Sequence, residues 1–317
     1  MVYNPKTKQK AYLYITLAII CWGLSNTFVE LGLNSIPSFP FLFYRFAISA
    51  IILTPIIMAK KHKQIIHLLK NKFIWLLGIF ESLGLMFQYI GQELQIPAGL
   101  ATLIVLIYAI FVPFISWVVL KHKIKLYHLI AVIISFIGIF FILSNESLEL
   151  LGNWSLSILG IIMLITSALF YGLYITYTSY IQNSYNNTLD SVSIFYVVLV
   201  IVALFSTISM IFTRSFVIPT PETWIWLICL VFISTIIAFY TYFLSMRTLS
   251  ANQVSLLLLL QVIVPFTIEI LIYGRFYNLY VTIGIIILFS SVFLSSFISY
   301  KTGKTNRKNY IKKEGYT

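Results

Sequence analysis

Eight stretches of this chain run for 19 residues or more without Asp, Glu, Lys or Arg, and seven of them are 19 to 27 residues long: 11–29, 94–120, 126–145, 191–213, 223–246, 248–268 and 276–300. A helix needs about 20 residues to cross a ~30 Å hydrocarbon core, so each is long enough to span a bilayer. In lipid every backbone N–H and C=O must find a partner inside the protein, which leaves helices and closed barrels. The residue alternation of a barrel strand is absent. The charge-free run from Leu150 to Leu189 holds 40 residues and reads as one helix near 154–181, followed by the polar turn "QNSYNNT". Two more spans carry one charge each, 39–58 with Arg45 and 73–92 with Glu81. The expected fold class is an all-α polytopic membrane protein with ten transmembrane helices.

Composition excludes the other classes. Only 9% of the 317 residues are charged, against about 25% in soluble domains. A soluble enzyme could not cover its surface with so few charges. Cys21 and Cys229 lie inside apolar runs and form no CxxC, so neither a disulfide scaffold nor a redox site is expected. The four histidines fall in or beside loops, at spacings that suit no metal site. No cofactor is expected.

Lys and Arg set the orientation. With the N-terminus inside, eighteen of the 21 basic residues fall on the cytoplasmic side. These include Lys60, Lys61 and Lys63, Lys121 to Lys125, and six residues of the tail from Lys301 to Lys313. Arg214 and Arg275 fall outside, and Arg45 within the membrane. Both termini are therefore expected in the cytoplasm and the protein in the plasma membrane. The net charge of +12 follows from this asymmetry and gives no reason to expect a nucleic-acid partner.

Two stretches align without gaps at an offset of 152 residues: "PAGLATLIVLIYAIFVPF" from Pro97 and "LSANQVSLLLLLQVIVPF" from Leu249. Gly99 meets Ala251, Leu106 meets Leu258, and Pro113 meets Pro265. Two five-helix halves follow, residues 1–150 and 151–300, with a basic cytoplasmic tail over 301–317. Five is odd, so the second half enters the membrane from the opposite side. Inverted repeats of this kind place a solute site at the repeat interface near the midplane. Pro113 and Pro265 each remove a helical hydrogen bond and are expected to act as a hinge pair.

With these features in place, the sequence resembles the EamA-type permeases of the drug/metabolite transporter superfamily. The resemblance rests on Trp22-Gly23, Arg45 early in its span, the small-residue starts at Gly99 and Ala251, the two prolines, and the twice-five plan. It implies proton-coupled or facilitated movement of small organic solutes such as amino acids, sugars, nucleotide derivatives or drugs. Such permeases often carry Gly-Glu after the fourth and ninth helices. Here Lys121-His122 and Gly274-Arg275 stand there, so a role for those glutamates does not carry over.

An ionisable residue at membrane depth marks a function or a partner. Glu81 is about nine residues into its span, and Gln88 and Gln92 follow on the same helix face. Gly84 lies on that side and would admit a close neighbour. This face is expected to line a solute or proton site, or to make a structural hydrogen bond. Trp22 and Asn26 share one side of the first span with Glu30. Tyr171 and Gln261 hold similar positions in the second half, and Tyr89 and Tyr108 lie beside polar residues or a proline. Aromatic rings around a carboxylate suit a solute bearing an amine. Arg45 and Glu30, both in the outer third, are expected to pair as a gate or structural link. Glu269 lies near the outer end of its span.

The expected function is secondary transport, without ATP, of a small organic metabolite: an amino acid, an amine or a related polar solute. The partners are that solute, the lipid bilayer and protons as a coupling ion. No Walker A motif exists to drive a pump, and no HExxH or GxSxG motif supports an enzyme. The alternatives are a non-transporting receptor or scaffold, and a channel.

Overall fold

The computed structural model describes residues 5–94, 96, 98–121, 125–152, 158–184, 190–264, 267 and 279–313. All secondary structure among them is helical. The helices are α1 (Pro5–Leu33), α2 (Ser38–Leu69), α3 (Lys72–Glu93), α4 (Ala98–Val105), α5 (Tyr108–Leu120), α6 (Leu126–Gly152), α7 (Ile158–Ser184), α8 (Ser191–Thr213), α9 (Pro221–Cys229), α10 (Ala238–Ser245), α11 (Ala251–Leu258) and α12 (Leu279–Lys313). Among the described residues, seven helical stretches are long and apolar enough to cross a membrane, and three shorter apolar ones lie at Leu126–Phe141, Ala251–Val262 and Thr282–Ser295.

Polar residues define the helix ends. Asn71 accepts from the Phe73 N–H and starts α3, and Asp190 does the same for Ser193 at α8. Thr220 caps α9 with Pro221 in its first turn, where a missing N–H costs nothing. Ser250 and Gln253 form a reciprocal capping box on α11. At the far ends of α5 and α8, Lys121 and Arg214 take left-handed backbone angles, with φ of 52° and 51°. Each stops a helix and sets a positive side chain where the helix dipole favours one.

The most extensive packing pairs elements from the two halves: α6 with α12, α3 with α7, α2 with α8, α5 with α7, α3 with α8, and α1 with α10. Lipid gives these contacts no hydrophobic drive, so small residues and polar contacts matter. At the α6–α12 contact, a Cβ on Gly138 would sit 2.8 Å from the Gly284 carbonyl oxygen. Ser135 and Ser291 hydroxyls meet at 2.6 Å in the same interface. On α3, Gly78 accommodates Ile201 of α8, and Gly91 lies against Leu164 of α7. Large apolar side chains on the outer surface, such as Ile51, Val118, Phe212 and Phe293, are exposed, as lipid-facing residues should be.

Two departures from simple helices lie in the interior. Leu230–Ile237, between α9 and α10, is a π-helix. The other is a pair of breaks. α4 gives way to α5 at Leu106–Ile107, where Ile107, Ala109 and Ile110 donate three residues back instead of four. α11 gives way at Leu258–Leu259 to a 3-10 turn over Leu259–Val262. At the 152-residue offset Leu106 aligns with Leu258, so the two halves break at matching residues. α4 and α5 meet seven residues before Pro113, the three-residue bonds reach Ile110 one turn before it, and α5 runs through Pro113 itself. Pro265, its expected counterpart, and Glu269 lie outside the described residues.

Candidate functional site

A cavity lies where α1, α2, α3, α7, α10 and the two broken helices meet. It is lined by Trp22, Asn26, Arg45, Glu81, Gln88, Tyr89, Tyr108, Tyr171, Tyr174, Tyr242 and Gln261, among others. Its volume is about 90 Å³. One water needs roughly 10–15 Å³ of that measure, so the space suits several waters or one small solute. Both helix breaks reach its wall, through Val105 and Tyr108 on one side and Leu258 and Gln261 on the other.

Arg45 is the best-anchored charge. It is 2% exposed. Its Nε donates to Thr235 Oγ1 at 2.8 Å, Nη1 to the Tyr89 hydroxyl at 2.6 Å, and Nη2 to the Ser234 carbonyl at 3.0 Å. The π-helix makes the last acceptor available. In an α-helix the Ala238 N–H would bond to the Ser234 carbonyl; here it reaches the Ile233 and Thr235 carbonyls instead. The bypassed Ser234 carbonyl accepts from Arg45 and, at 3.2 Å, from Trp22 Nε1. Ser234 Oγ donates in turn to the Cys21 carbonyl at 3.0 Å.

The Glu30 partner expected for Arg45 is replaced by these neutral groups. Arg45 lies seven residues inside α2, about 10 Å along the axis, while Glu30 lies three residues from the end of α1. Glu30 is exposed and Arg45 buried. The two residues occupy different depths.

Several sequence-derived candidates form one polar wall. Tyr171 OH donates to Gln88 Oε1 at 2.7 Å, and Gln88 Nε2 donates to Asn26 Oδ1 at 3.1 Å. This chain joins α7, α3 and α1. Tyr108 meets Tyr171 edge-on at 6.5 Å. The neighbour admitted by Gly84 is α7: Ser167 Oγ donates to the Gly84 carbonyl at 2.7 Å, and the Tyr171 ring lies 3.0 Å from where a Cβ would stand. Glu81 is 2% exposed and lines the cavity, and its Oε2 has no hydrogen-bond partner. Gln92 is the exception. It is buried, both ends of its amide lack a partner, and it does not reach the cavity.

An aromatic cluster packs against one side. Trp22 sits 5.3 Å from Phe239 and 5.2 Å from Tyr242, and Tyr242 stacks on Tyr174 at 5.8 Å. Phe195 stacks on Phe239 at 5.9 Å. Tyr174 shares the helix face of Ser167, Tyr171 and Thr178, the sequence signal that marks that side of the span. Ser234, Thr235 and Tyr242 are not legible as site residues: their only sequence signal is a Ser-Thr pair inside the apolar run of residues 223–246 and one more tyrosine among 21.

The profile of the EamA-like transporter family matches twice, over residues 9–144 and 158–297. The chain belongs to the EamA-like transporter family. It is accordingly a multi-pass integral membrane protein of a transporter family, with one family unit in each half. Two uncharacterized transporters of Archaeoglobus fulgidus are each 26% identical to this EamA-like chain over 179 residues, or 56% of its length. The matched region spans 52% of one relative and 60% of the other. One solved crystal structure superimposes with a TM-score of 0.75 at 14% identity, covering 93% of this chain and 99% of that one. That likeness establishes a shared fold.

Proposed function

We propose that this EamA-like chain is a secondary transporter of a small polar organic solute and works by alternating access. In this reading ten spans form two inverted five-helix repeats, both termini face the cytoplasm, and the protein sits in the plasma membrane. The carrying observation is the matched pair of breaks at Leu106–Ile107 and Leu258–Leu259. At each, a helix of one half tightens from four-residue to three-residue bonding at the wall of the same buried cavity. Irregular helical segments at equivalent positions in two halves are where many transporters build a central site, and one half rocking against the other exposes it to each side in turn. A pathway built this way admits solute from one side at a time. Glu81, Gln88, Asn26, Trp22, Tyr108, Tyr171 and Gln261 form the solute or proton site in this reading. Protons are the coupling ion to test first, because Glu81 is a buried carboxyl on the cavity wall.

The test is flux into proteoliposomes holding purified protein. A carrier gives saturable uptake, accelerated by unlabelled solute on the other side, and an imposed pH gradient drives accumulation if protons are coupled. Uptake that stays linear with concentration and shows no exchange acceleration identifies a channel. Absence of flux for every solute that stabilises the protein identifies a receptor or scaffold.

A further inference from the structure

A second hollow lies where the ends of α5 and α7 meet the turn between α10 and α11. It shares no lining residue with the central cavity. Its volume is about 620 Å³, within the roughly 300–1,000 Å³ of sites that hold small molecules. Lys121, at the end of α5, and Arg247, just past α10, both line it, together with the hydroxyl residues Ser184 and Thr248. Among the described residues no acidic side chain lines it. Lys121 belongs to the first family unit and Arg247 to the second, so each half brings one cation. The Tyr180 ring on the wall meets Phe73 at 5.9 Å, beside Lys72 at the start of α3, which places the hollow at the basic end of the bundle.

Helix ends do not cancel this charge. α5, α7 and α10 finish at the hollow and α11 starts there. Each carbonyl end carries about half a negative charge, and the start of α11 about half a positive one. The two full charges of Lys121 and Arg247 exceed that remainder, so the hollow stays positive. The rest of its wall is apolar. Met246 and Leu249 are buried, and Val119 and Leu120 are half-buried on the α5 side. Trp117 and Val118, one turn before Lys121, are exposed on the outer surface of α5, where a membrane-spanning chain meets lipid. A free phosphate needs only the cations. An apolar wall that runs from the cations to the lipid-facing surface suits a phosphate that carries acyl chains, and basic pockets between transmembrane helices bind anionic headgroups in this way.

We propose that this hollow binds an anionic phospholipid whose headgroup carries no amine, of the phosphatidylglycerol or cardiolipin type. Its phosphate sits between Lys121 and Arg247, and its acyl chains lie along Val119, Leu120 and the outer surface of α5. Arg offers a phosphate a planar fork and Lys a point charge, and the Ser184 and Thr248 hydroxyls donate to the remaining oxygens. An ethanolamine or choline headgroup brings a third cation beside two, with no acid on the wall to meet it. A lipid held here touches both family units at one end and ties them together, whatever solute the central cavity takes.

Purified full-length protein in a neutral detergent is titrated with phosphatidylglycerol, phosphatidylcholine and phosphatidylethanolamine, and with glycerol 3-phosphate and inorganic phosphate as soluble phosphates. Thermal stabilisation that rises with concentration reads binding, and native mass spectrometry counts the lipids retained. Phosphatidylglycerol is expected to bind tenfold or more tightly than either amine-bearing lipid and than either soluble phosphate. Lys121→Gln and Arg247→Gln should each weaken it at least about fivefold, the worth of one basic residue at an anionic surface. Lys63→Gln, an exposed position outside the hollow, should cost less than twofold. Lys121→Arg and Arg247→Lys keep the charge and should keep most of the affinity, which separates a lost contact from a lost fold. Equal binding of phosphatidylcholine or phosphatidylethanolamine overturns the proposal. So does a loss at Lys63 as large as that at Lys121, which would make the attraction diffuse. Soluble phosphates that bind as tightly as the lipid would overturn it too, leaving a free-phosphate site in its place.

Discussion

Arg45 Nη1 and the Tyr89 hydroxyl, 2.6 Å apart, fasten α2 to α3 at the wall of the cavity. The same guanidinium grips the π-helix of the other half through Thr235 and Ser234. One side chain thus links three elements across the two family units, and Trp22 of α1 shares its Ser234 acceptor. A π-helix is a common companion of functional sites because its wide turn displaces a carbonyl from its usual donor. Here the displaced carbonyl orients the cation.

Tyr89→Phe removes one acceptor and leaves the Arg45 N–H buried without a partner. Such losses cost about 1–3 kcal/mol. The variant is expected to fold and to melt at a lower temperature than the wild type in the same detergent. Thr235→Val should behave similarly, and the double variant should lose less than the two single losses added, since both act through one guanidinium. Strict additivity would mean that the two bonds are energetically separate.

Most of the cavity wall was legible because the signal was simple. Asn26, Glu81 and Gln88 are polar residues in apolar spans, and lipid forces such residues inward. Arg45 was legible as a site, but its partners were not. Pairing it with Glu30 rests on placing both in the outer third; in the structure Arg45 is buried seven residues inside α2 and held by neutral groups, and Glu30 is exposed near the end of α1. The π-helix had no legible cause, since residues 230–237 read as ordinary apolar helix. The repeat alignment located matching helices in each half. The tightening of both helices from four-residue to three-residue bonding at Leu106 and Leu258 carries no sequence signal of its own.

Gly84 and Gly138 should respond differently to alanine. At Gly84 the added methyl meets the Tyr171 ring at 3.0 Å, and a ring can shift. Gly84→Ala is therefore expected to keep most stability, disturb the Tyr171–Gln88 bond and weaken solute binding. At Gly138 the methyl meets the backbone of Gly284 and Leu288 at 2.8 and 2.9 Å. Backbone cannot yield without separating α6 from α12, and overpacking of this kind costs about 1–3 kcal/mol. Melting temperature should fall further for Gly138→Ala, and solute affinity further for Gly84→Ala. The reverse order would remove Tyr171 from the site.

The basic end carries an ion pair between the halves, Lys61 of α2 with Asp190 at the start of α8. Burial works to raise the Asp190 pKa, but hydrogen bonds from Lys61 and from the Ser193 N–H and hydroxyl outweigh it and hold the carboxyl below its ordinary value of 3.8. A carboxyl lowered in the folded state stabilises fully above its unfolded pKa and loses that contribution as pH falls through the folded value. Asp190→Asn should therefore melt lower than wild type by a constant margin from pH 8 to pH 5, and the margin should close below about pH 4. The margin should be small, because the side chains are 33% and 29% exposed and such pairs contribute roughly 0.2–1 kcal/mol. A margin that widens on acidification would contradict the assignment.

Orientation is the expectation on which the inverted repeat depends, and it can be read from two exposed positions. Lys63 follows Lys61 near the end of α2 and is exposed; Ile218, in the segment between α8 and α9, is 74% exposed. Between them the chain passes through α3, α4–α5, α6, α7 and α8. If each of these five units crosses the bilayer, the two positions lie on opposite sides, and the positive-inside asymmetry puts Lys63 in the cytoplasm. Cysteines are introduced singly in a background where Cys21 and Cys229 are replaced by Ala. In intact cells an impermeant maleimide should label Ile218→Cys and spare Lys63→Cys; in inverted vesicles the pattern should reverse. Labelling of both positions from one side would leave an even number of crossings between them. The two halves would then run parallel, and the matched breaks at Leu106 and Leu258 could no longer face each other across an inverted pair.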